Sequence, residues 1–480
     1  MAQSSRSRLP MHLNSRKNNF LKIHKLPMCV LLLLSAFLMV LLNYAQAQNP
    51  KPPVLMISVD GMRPDYITQA EAHQLKVPIL RGFIRDGCHA DGVVGVLPTD
   101  TFPSHTTLVT GVWPIEHGIY NNTRFDPRAM HPGVWYWYAP DIRVPTLWQV
   151  ASQAGISTAS VFWPVTVNAS NIDYLVAAYP APTKDDHNLI EALSRPDDYL
   201  SQLEKETGLF YIFKPVTAFD ERLTTISIDI IKEKKPGFMT LHLVSLDAIE
   251  HATRPFSSKS NTAMEAIDGM IGRLVAAERA NNPQAIIVVV SDHGFAGTHS
   301  QVNLLIPFVK AGLITLKAAR ADIKPAVASW KATMWNADGT AYIILHNPND
   351  AETKNEVATM LARLKADPSF GISRILTQKE IIAEGGDPNA SFMVAWEPGF
   401  EGGGALQGAV VKAIPGTGTH GYLPEFPQMR SSFFAIGSGI AAHRDVGIID
   451  MRQIAPTVAG YMGIDLHGVS QPPIRCTSKP

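Results

Sequence analysis

Cysteine is scarce in this chain: three residues in 480. Cys29 lies in an N-terminal stretch that reads as removable, and Cys88 with Cys476 are too few for a disulfide framework. Charge of one sign is not in excess either, since 42 Lys and Arg stand against 42 Asp and Glu. That balance gives no electrostatic case for a nucleic-acid surface. After residue 42 no apolar run approaches the ~20 residues that a membrane-spanning helix needs. Internal repeats and low-complexity tracts are missing as well. The 46% hydrophobic content is that of a globular chain, long enough for one large domain or two moderate ones.

The N-terminus stands apart. Residues 1–25 contain Arg6, Arg8, Arg16, Lys17, Lys22 and Lys25 and no acid; Met28–Leu42 is apolar, and Ala45-Gln46-Ala47 is an A-x-A cleavage site. This pattern predicts a secretory signal over residues 1–47 rather than an anchor, because fifteen apolar residues are short for a span. The expected location is periplasmic or secreted, with no membrane attachment after cleavage. Losing six basic residues leaves 36 Lys and Arg against 42 acids, a formal charge of −6.

Val54–Val59 is a near-continuous apolar run that ends on Asp60-Gly61. Ala285–Val290 has the same form and ends on Ser291-Asp292-His293-Gly294, and Phe238–Leu246 ends on Asp247. Such runs fit strands of a parallel sheet buried under helices, and ligands sit beyond the carboxyl ends of such strands. Helical spacing over Asn261–Ala280 and at Pro145–Ala154 completes an α/β alternation. Between residues 305 and 405 the character changes. Short strand candidates at Tyr342–Leu345 and Phe392–Ala395 surround an amphipathic helix, Ala351–Leu364, capped by Asn349-Asp350. The expected organisation is a core over 48–304 and 406–480, interrupted by a small α+β cap-like lobe at 305–405.

Chemistry concentrates in Asp60, Thr101, Asp247, His251, Asp292, His293 and His420. Thr101 precedes a helix-compatible segment, TFPSHTTLVT, closed by Gly111. A threonine hydroxyl is a poor nucleophile without help. Asp247 and His251, four apart, project to one side of a helix. His420 is expected in a Gly-rich turn, Gly416–Gly421 (GTGTHG), where the backbone is free to bring the imidazole into a cavity. Mixed carboxylate and imidazole ligands suit Zn²⁺ better than Mg²⁺ or Ca²⁺. Singly each residue is bland, since an Asp after a strand is usually a turn residue. His105, His117, His242, His299, His443 and His467 read as structural or solvated.

Together the segments Ser58-Val59-Asp60-Gly61-Met62-Arg63, Thr101-Phe102-Pro103-Ser104-His105, His117-Gly118-Ile119-Tyr120-Asn121-Asn122, Asp247 with His251, Ser291-Asp292-His293-Gly294 and Gly418-Thr419-His420-Gly421 resemble the type I phosphodiesterase/nucleotide pyrophosphatase family of the alkaline phosphatase superfamily. The resemblance runs from about Val54 to about Gly468. It implies an alkaline phosphatase-like fold with a mostly parallel sheet between helices, and two zinc ions. Asp60, Asp292 and His293 would hold one ion beside the Thr101 hydroxyl; Asp247, His251 and His420 would hold the other. Thr101 would attack phosphorus and form a phosphothreonine that is then hydrolysed. Asn122 would hydrogen-bond a phosphoryl oxygen, and Phe102 would pack on the leaving group. The implied substrate is a small phosphate ester, a nucleotide or something similar, cleaved at a phosphodiester or pyrophosphate bond.

The match thins at Ser104, where nucleotide-preferring members often show Asn, and at Trp163-Pro164-Val165-Thr166, where they often show Trp-Pro-Gly-Ser. The aromatic run Trp135–Tyr138, with Tyr174 or Tyr179, could stack a base or simply pack beneath the lobe. No Lys or Arg occurs between Phe162 and Tyr179, where related monoesterases often carry such a pair, and that favours a diester. A phosphomonoesterase or phosphonate hydrolase on the same metal core is the nearest alternative. A non-catalytic binding protein would need a missing ligand or nucleophile, and none is missing.

Overall fold

Six consecutive buried residues, Val54–Val59, leave no polar face for water, so this segment takes an interior position in a sheet. The structure, a computed structural model, describes residues 51–128, 130, 134–179, 184–208, 216–318 and 325–477. The signal predicted at residues 1–47 lies outside the described residues. Val54–Val59 runs parallel to Phe238–Leu243 on one side and to Ile286–Val290 on the other. Thr158–Val161 and Tyr174–Val176 extend the sheet in the same direction beyond Phe238–Leu243. On the other edge Phe433–Ile436 enters antiparallel, followed by Cys88–His89 and Arg444–Asp445, for eight strands in all. The mostly parallel α/β sheet is the fold class expected from the sequence.

Alternate residues of the central strand feed two cores. Leu55, Ile57 and Val59 meet Ile226, Ile230, Ile267 and Ile271 from the helices Val216–Lys234 and Ser258–Asn281. Val54 and Met56 meet Leu108, Trp148 and Val458 on the opposite face. Both layers are needed because a parallel strand exposes apolar side chains on each side.

Two local expectations shift. The apolar run at Phe238 ends as a strand at Leu243, and the chain turns at once into the helix Ser245–Thr253. The Asp220 carboxylate accepts hydrogen bonds from the Val244 and Ser245 N–H groups, 2.9 Å each, and so fixes that helix start. Asp247 therefore rides on the first helical turn rather than on the strand end. The stretch before His420 is a strand, Val411–Thr419, paired antiparallel to Ala296–Val302, and not a free Gly-rich turn.

Residues 332–396 carry their own antiparallel sheet, ordered Ala332–Ala337, Thr340–Leu345, Phe392–Trp396 and Ile372–Thr377. The helix Ala351–Ala366 packs on it through Val357, Met360 and Leu361, and the Asp350 side chain caps that helix by accepting from Thr353 N–H at 3.0 Å. Asp338-Gly339 makes the tight turn between the first two strands, with Asp338 in the left-handed region at φ 53°. Among the described residues no helix is long and apolar enough to cross a membrane.

Cys88 and Cys476 are joined in a disulfide across 388 residues, both fully buried. Two cysteines that looked incidental in sequence thus tie the final residues to an edge strand of the sheet. Closing so long a loop is expected to contribute about 2–5 kcal/mol. Replacing both cysteines by alanine should lower the thermal unfolding midpoint by several degrees. An unchanged midpoint in a calorimetric scan would show that the tie adds nothing.

Candidate metal centre and nucleophile

Two strand ends and a helix start converge on Thr101. Asp60 follows Val54–Val59 and is 4% exposed; Asp292 and His293 follow Ile286–Val290 and are fully buried. Thr101 opens the helix Thr101–Thr110, which ends on Gly111 in the left-handed region at φ 72°. His293 Nε2 lies 3.1 Å from Asp292 Oδ2, 3.4 Å from Asp60 Oδ1 and 3.2 Å from Thr101 Oγ. Gly61 takes φ 73° as the chain leaves the strand, which lets its N–H donate to Asp292 Oδ1 at 3.1 Å.

A second group adjoins the first. Asp247 and His251 sit one helical turn apart, with His251 Nε2 3.5 Å from Asp247 Oδ1. His420 Nε2 lies 3.8 Å from the same oxygen, and the His420 ring stacks on His293 at a centroid distance of 3.8 Å. Among the described residues, Asp60–Asp292–His293 and Asp247–His293–His420 each bring their ligand atoms close enough for one ion. His251 stands just outside the tighter set and is held by its Nδ1 3.2 Å from the Gly418 carbonyl. All seven residues singled out from the sequence therefore come together.

The electrostatics suit a cation. Asp60 Oδ1, Asp292 Oδ2 and Asp247 Oδ1 are buried carboxylate oxygens that accept no hydrogen bond. Burial, then the charge of Asp247, pushes the Asp60 carboxyl well above its ordinary range; burial and the Asp60 charge do the same to Asp292. Burial raises Asp247 too. Burial and the neighbouring imidazoles push His293 and His420 well down, so both are neutral and able to ligate. Burial opposes charge on His251 as well, but the carboxylates of Asp247 and Asp338 outweigh it and raise its pKa. Orphaned oxygens beside neutral imidazoles are a donor set that a divalent ion satisfies.

Asn122 lies beside Thr101. Its Oδ1 accepts from Phe102 N–H at 2.7 Å, and its Nδ2 donates to Asp100 Oδ1 at 2.7 Å. Thr101 N–H donates to Asp100 Oδ1 at 3.3 Å, and Ser104 N–H to the Asp100 carbonyl at 3.0 Å. With Pro103 lacking an N–H, the first turn offers no free backbone donor. Phe102 packs against Trp135 and Trp137, at ring centroid distances of 5.1 and 5.6 Å, and Trp137 meets Tyr179 at 5.1 Å.

Two histidines read from the sequence as structural or solvated, His105 and His242, are buried against this group. His105 shares a helix face with Thr101; its Nδ1 lies 2.8 Å from the Thr101 carbonyl and its Nε2 2.9 Å from Ser58 Oγ. His242, opposite Ser58 across the paired strands, places Nε2 3.0 Å from Asp60 Oδ2. The four-residue spacing of Thr101 and His105 is the one sequence signal available. Asp100 and Asp338 come from a loop and a hairpin turn, where an acid is unremarkable.

A family model described as "Type I phosphodiesterase / nucleotide pyrophosphatase" matches residues 54–397. Human ectonucleotide pyrophosphatase/phosphodiesterase family member 1 is 25% identical over 258 residues, covering 51% of this chain and 23% of its own length. Venom phosphodiesterase of Naja atra is 24% identical over 259 residues, covering 50% and 26%. The chain thus spans about a quarter of the length of the curated relatives it matches. In three dimensions it is similar to murine ectonucleotide pyrophosphatase/phosphodiesterase 5, an inactive form in complex with AMP. The TM-score is 0.61 and the identity 18%, over 87% of this chain and 96% of that one. The human form of the same protein gives a TM-score of 0.60, also at 18% identity, over 86% and 95%. At such identity the likeness shows a shared fold.

Proposed function

Because the chain belongs to the type I phosphodiesterase/nucleotide pyrophosphatase family, we propose that it is an exported two-zinc hydrolase of phosphodiester or pyrophosphate bonds, nucleotide-type substrates foremost, working through a phosphothreonine on Thr101. The observation that carries this reading is the Thr101 hydroxyl 3.2 Å from His293, inside a group whose buried carboxylate oxygens lack donors. Asp60, Asp292 and His293 would hold one ion next to Thr101; Asp247, His251 and His420 would hold the other. Bound zinc supplies Lewis-acid stabilisation of the attacking and leaving oxygens.

The residues of the chain do the rest. His105 fixes the first helical turn from behind, so the Thr101 hydroxyl is aimed rather than free. The Thr101 Oγ–P bond forms as the P–O bond to the leaving group breaks, and water later cleaves the phosphothreonine. Asn122, with its amide fixed by Phe102 N–H and Asp100, presents its remaining N–H to a phosphoryl oxygen. Phe102, Trp135 and Trp137 form an apolar, aromatic wall on which a base can stack. The murine neighbour was solved in complex with AMP, which agrees with such a leaving group or product.

Residues 305–405 are read as a cap-like lobe over this wall, against a core at 48–304 and 406–480. Asn121, next to Asn122, donates to the Asn336 carbonyl at 2.9 Å and so ties the lobe to the site. Export fits the buried disulfide, which persists in oxidising compartments, and relatives named as ectoenzymes and venom enzymes.

The absence of Lys or Arg between Phe162 and Tyr179 leaves a dianionic monoester without a counter-charge there. Initial rates on bis(p-nitrophenyl) phosphate and on the p-nitrophenyl ester of 5′-thymidylate should therefore exceed that on p-nitrophenyl phosphate by about tenfold or more, one charge at close range being worth roughly that factor. A clear preference for the monoester would sink the diester reading.

A further inference from the structure

Asp100 has no role among the metal ligands or the reacting groups, yet it is 3% exposed and surrounded by groups that do. Its Oδ1 accepts from Asn122 Nδ2 at 2.7 Å, and its Oδ2 accepts from Asn122 N–H at 3.2 Å. The same Oδ1 lies 3.3 Å from His420 Nδ1, which also faces the Thr99 carbonyl at 3.3 Å. With Nδ1 turned to these two oxygens, His420 keeps Nε2 directed at Asp247.

We propose that Asp100 is a positioning residue that ties the second metal group to the phosphoryl-oxygen subsite, holding the imidazole of His420 and the amide of Asn122 from one carboxylate. The inference rests on the functional reading above, in which His420 ligates an ion and Asn122 meets the substrate. Its physical content is twofold. A carboxylate on the far nitrogen of a ligating imidazole fixes the tautomer and orients the ring, and losing such a partner typically weakens metal binding by about 10–100-fold. A carboxylate gripping both the side-chain and backbone nitrogens of Asn122 fixes its amide plane, so one N–H remains for substrate. Two functions that look independent in the list of residues are then coupled through one side chain.

Asp100→Asn tests this, since Asn caps a helix as well as Asp does while it removes the charge and replaces one acceptor oxygen by an NH2 donor. Asp100→Ser, also a good cap, serves as the second variant if the first folds poorly. In chelator competition on the full chain loaded with zinc, one ion should be released at least about tenfold more readily and the other unchanged. In kinetics on the p-nitrophenyl ester of 5′-thymidylate, Asp100→Asn should lower kcat about tenfold on its own. Combined with Asn122→Ala and assayed with zinc in excess, so that the His420 group stays loaded, it should add less than about threefold to that variant's loss, because the remaining effect runs through Asn122. Two ions held as in the wild type, or a full multiplicative loss in the double variant, overturns the inference alone. A wild-type chain that binds no zinc overturns the functional reading and the inference with it.

Discussion

Thr101→Ala is expected to lower phosphodiester turnover at least about a thousandfold while leaving two zinc ions on the chain. The side chain is 8% exposed and its hydroxyl faces His293, but Asp60, Asp292 and His293 are separate donors that the substitution leaves intact. Alanine is also the better helix former, so the helix Thr101–Thr110 should survive, with Gly111 still closing it. The expected pattern is a loss confined to chemistry. Zinc per chain by elemental analysis stays near two, the thermal midpoint moves by a few degrees at most, and rapid quench with labelled substrate finds no phosphoprotein. Thr101→Ser should recover part of the rate because the nucleophilic oxygen returns. Near-normal turnover by the alanine variant would remove Thr101 from the role of nucleophile.

Stripping the metal should have an effect as large, and one that depends on pH in a defined direction. Chelation is expected to abolish activity, and added zinc to restore it. Stability should fall as well, because three buried carboxylates would lose their counter-charge. The Asp60 and Asp292 carboxyls are raised well above 3.8 by burial, and Asp100 is pushed up to about 7 by burial and then by the charge of Asp338. An acid whose folded pKa is raised binds more protons in the folded chain than in the unfolded one. Its stabilising contribution is complete below the unfolded value of 3.8 and is lost as pH rises through the folded value. The metal-free chain should thus weaken steadily as pH rises from about 4 to about 7. Zinc, by replacing those protons, should restore more the higher the pH. Differential scanning calorimetry should show a gap between zinc-loaded and metal-free midpoints on the order of 10 °C at pH 8, narrowing toward pH 5. A gap that is constant or widens toward acid would contradict the assignment of Asp60 and Asp292 as metal ligands.

Much of this was readable from sequence for a physical reason. Strands buried on both faces must be apolar throughout, so Val54–Val59 and Ile286–Val290 announce themselves, and the acids that end them stand out by contrast. The helix Ala351–Ala366 was equally plain from its apolar spacing and its Asp350 cap. What stayed hidden depends on pairing across long sequence separations. His242 looks like an isolated histidine in an apolar strand until register places it beside Ser58 and near Asp60. The Cys88–Cys476 bond needs the chain end to return to the sheet edge, which no local pattern states. Asp338 lies in an ordinary Asp-Gly turn, and only tertiary packing brings its charge to bear on His251 and Asp100. The boundary at Leu243 is not visible in the sequence because Val244 continues the apolar run, while the Asp220 carboxylate that starts the next helix comes from another element.

The hairpin turn of the 332–396 sheet grips the metal group more directly than a cover would need to. Gly339 N–H donates to the His420 carbonyl at 2.9 Å, and Thr340 Oγ donates to the Gly421 carbonyl at 2.8 Å. A Cβ on Gly421, which takes φ 79°, would stand 1.9 Å from the Ala337 oxygen. The backbone of His420, a proposed metal ligand, is therefore seated in the turn of the neighbouring sheet. In engineering terms that sheet is not a cassette. A chimera that exchanged it for a relative's version to alter the substrate range would also re-seat His420, and zinc retention would change together with selectivity.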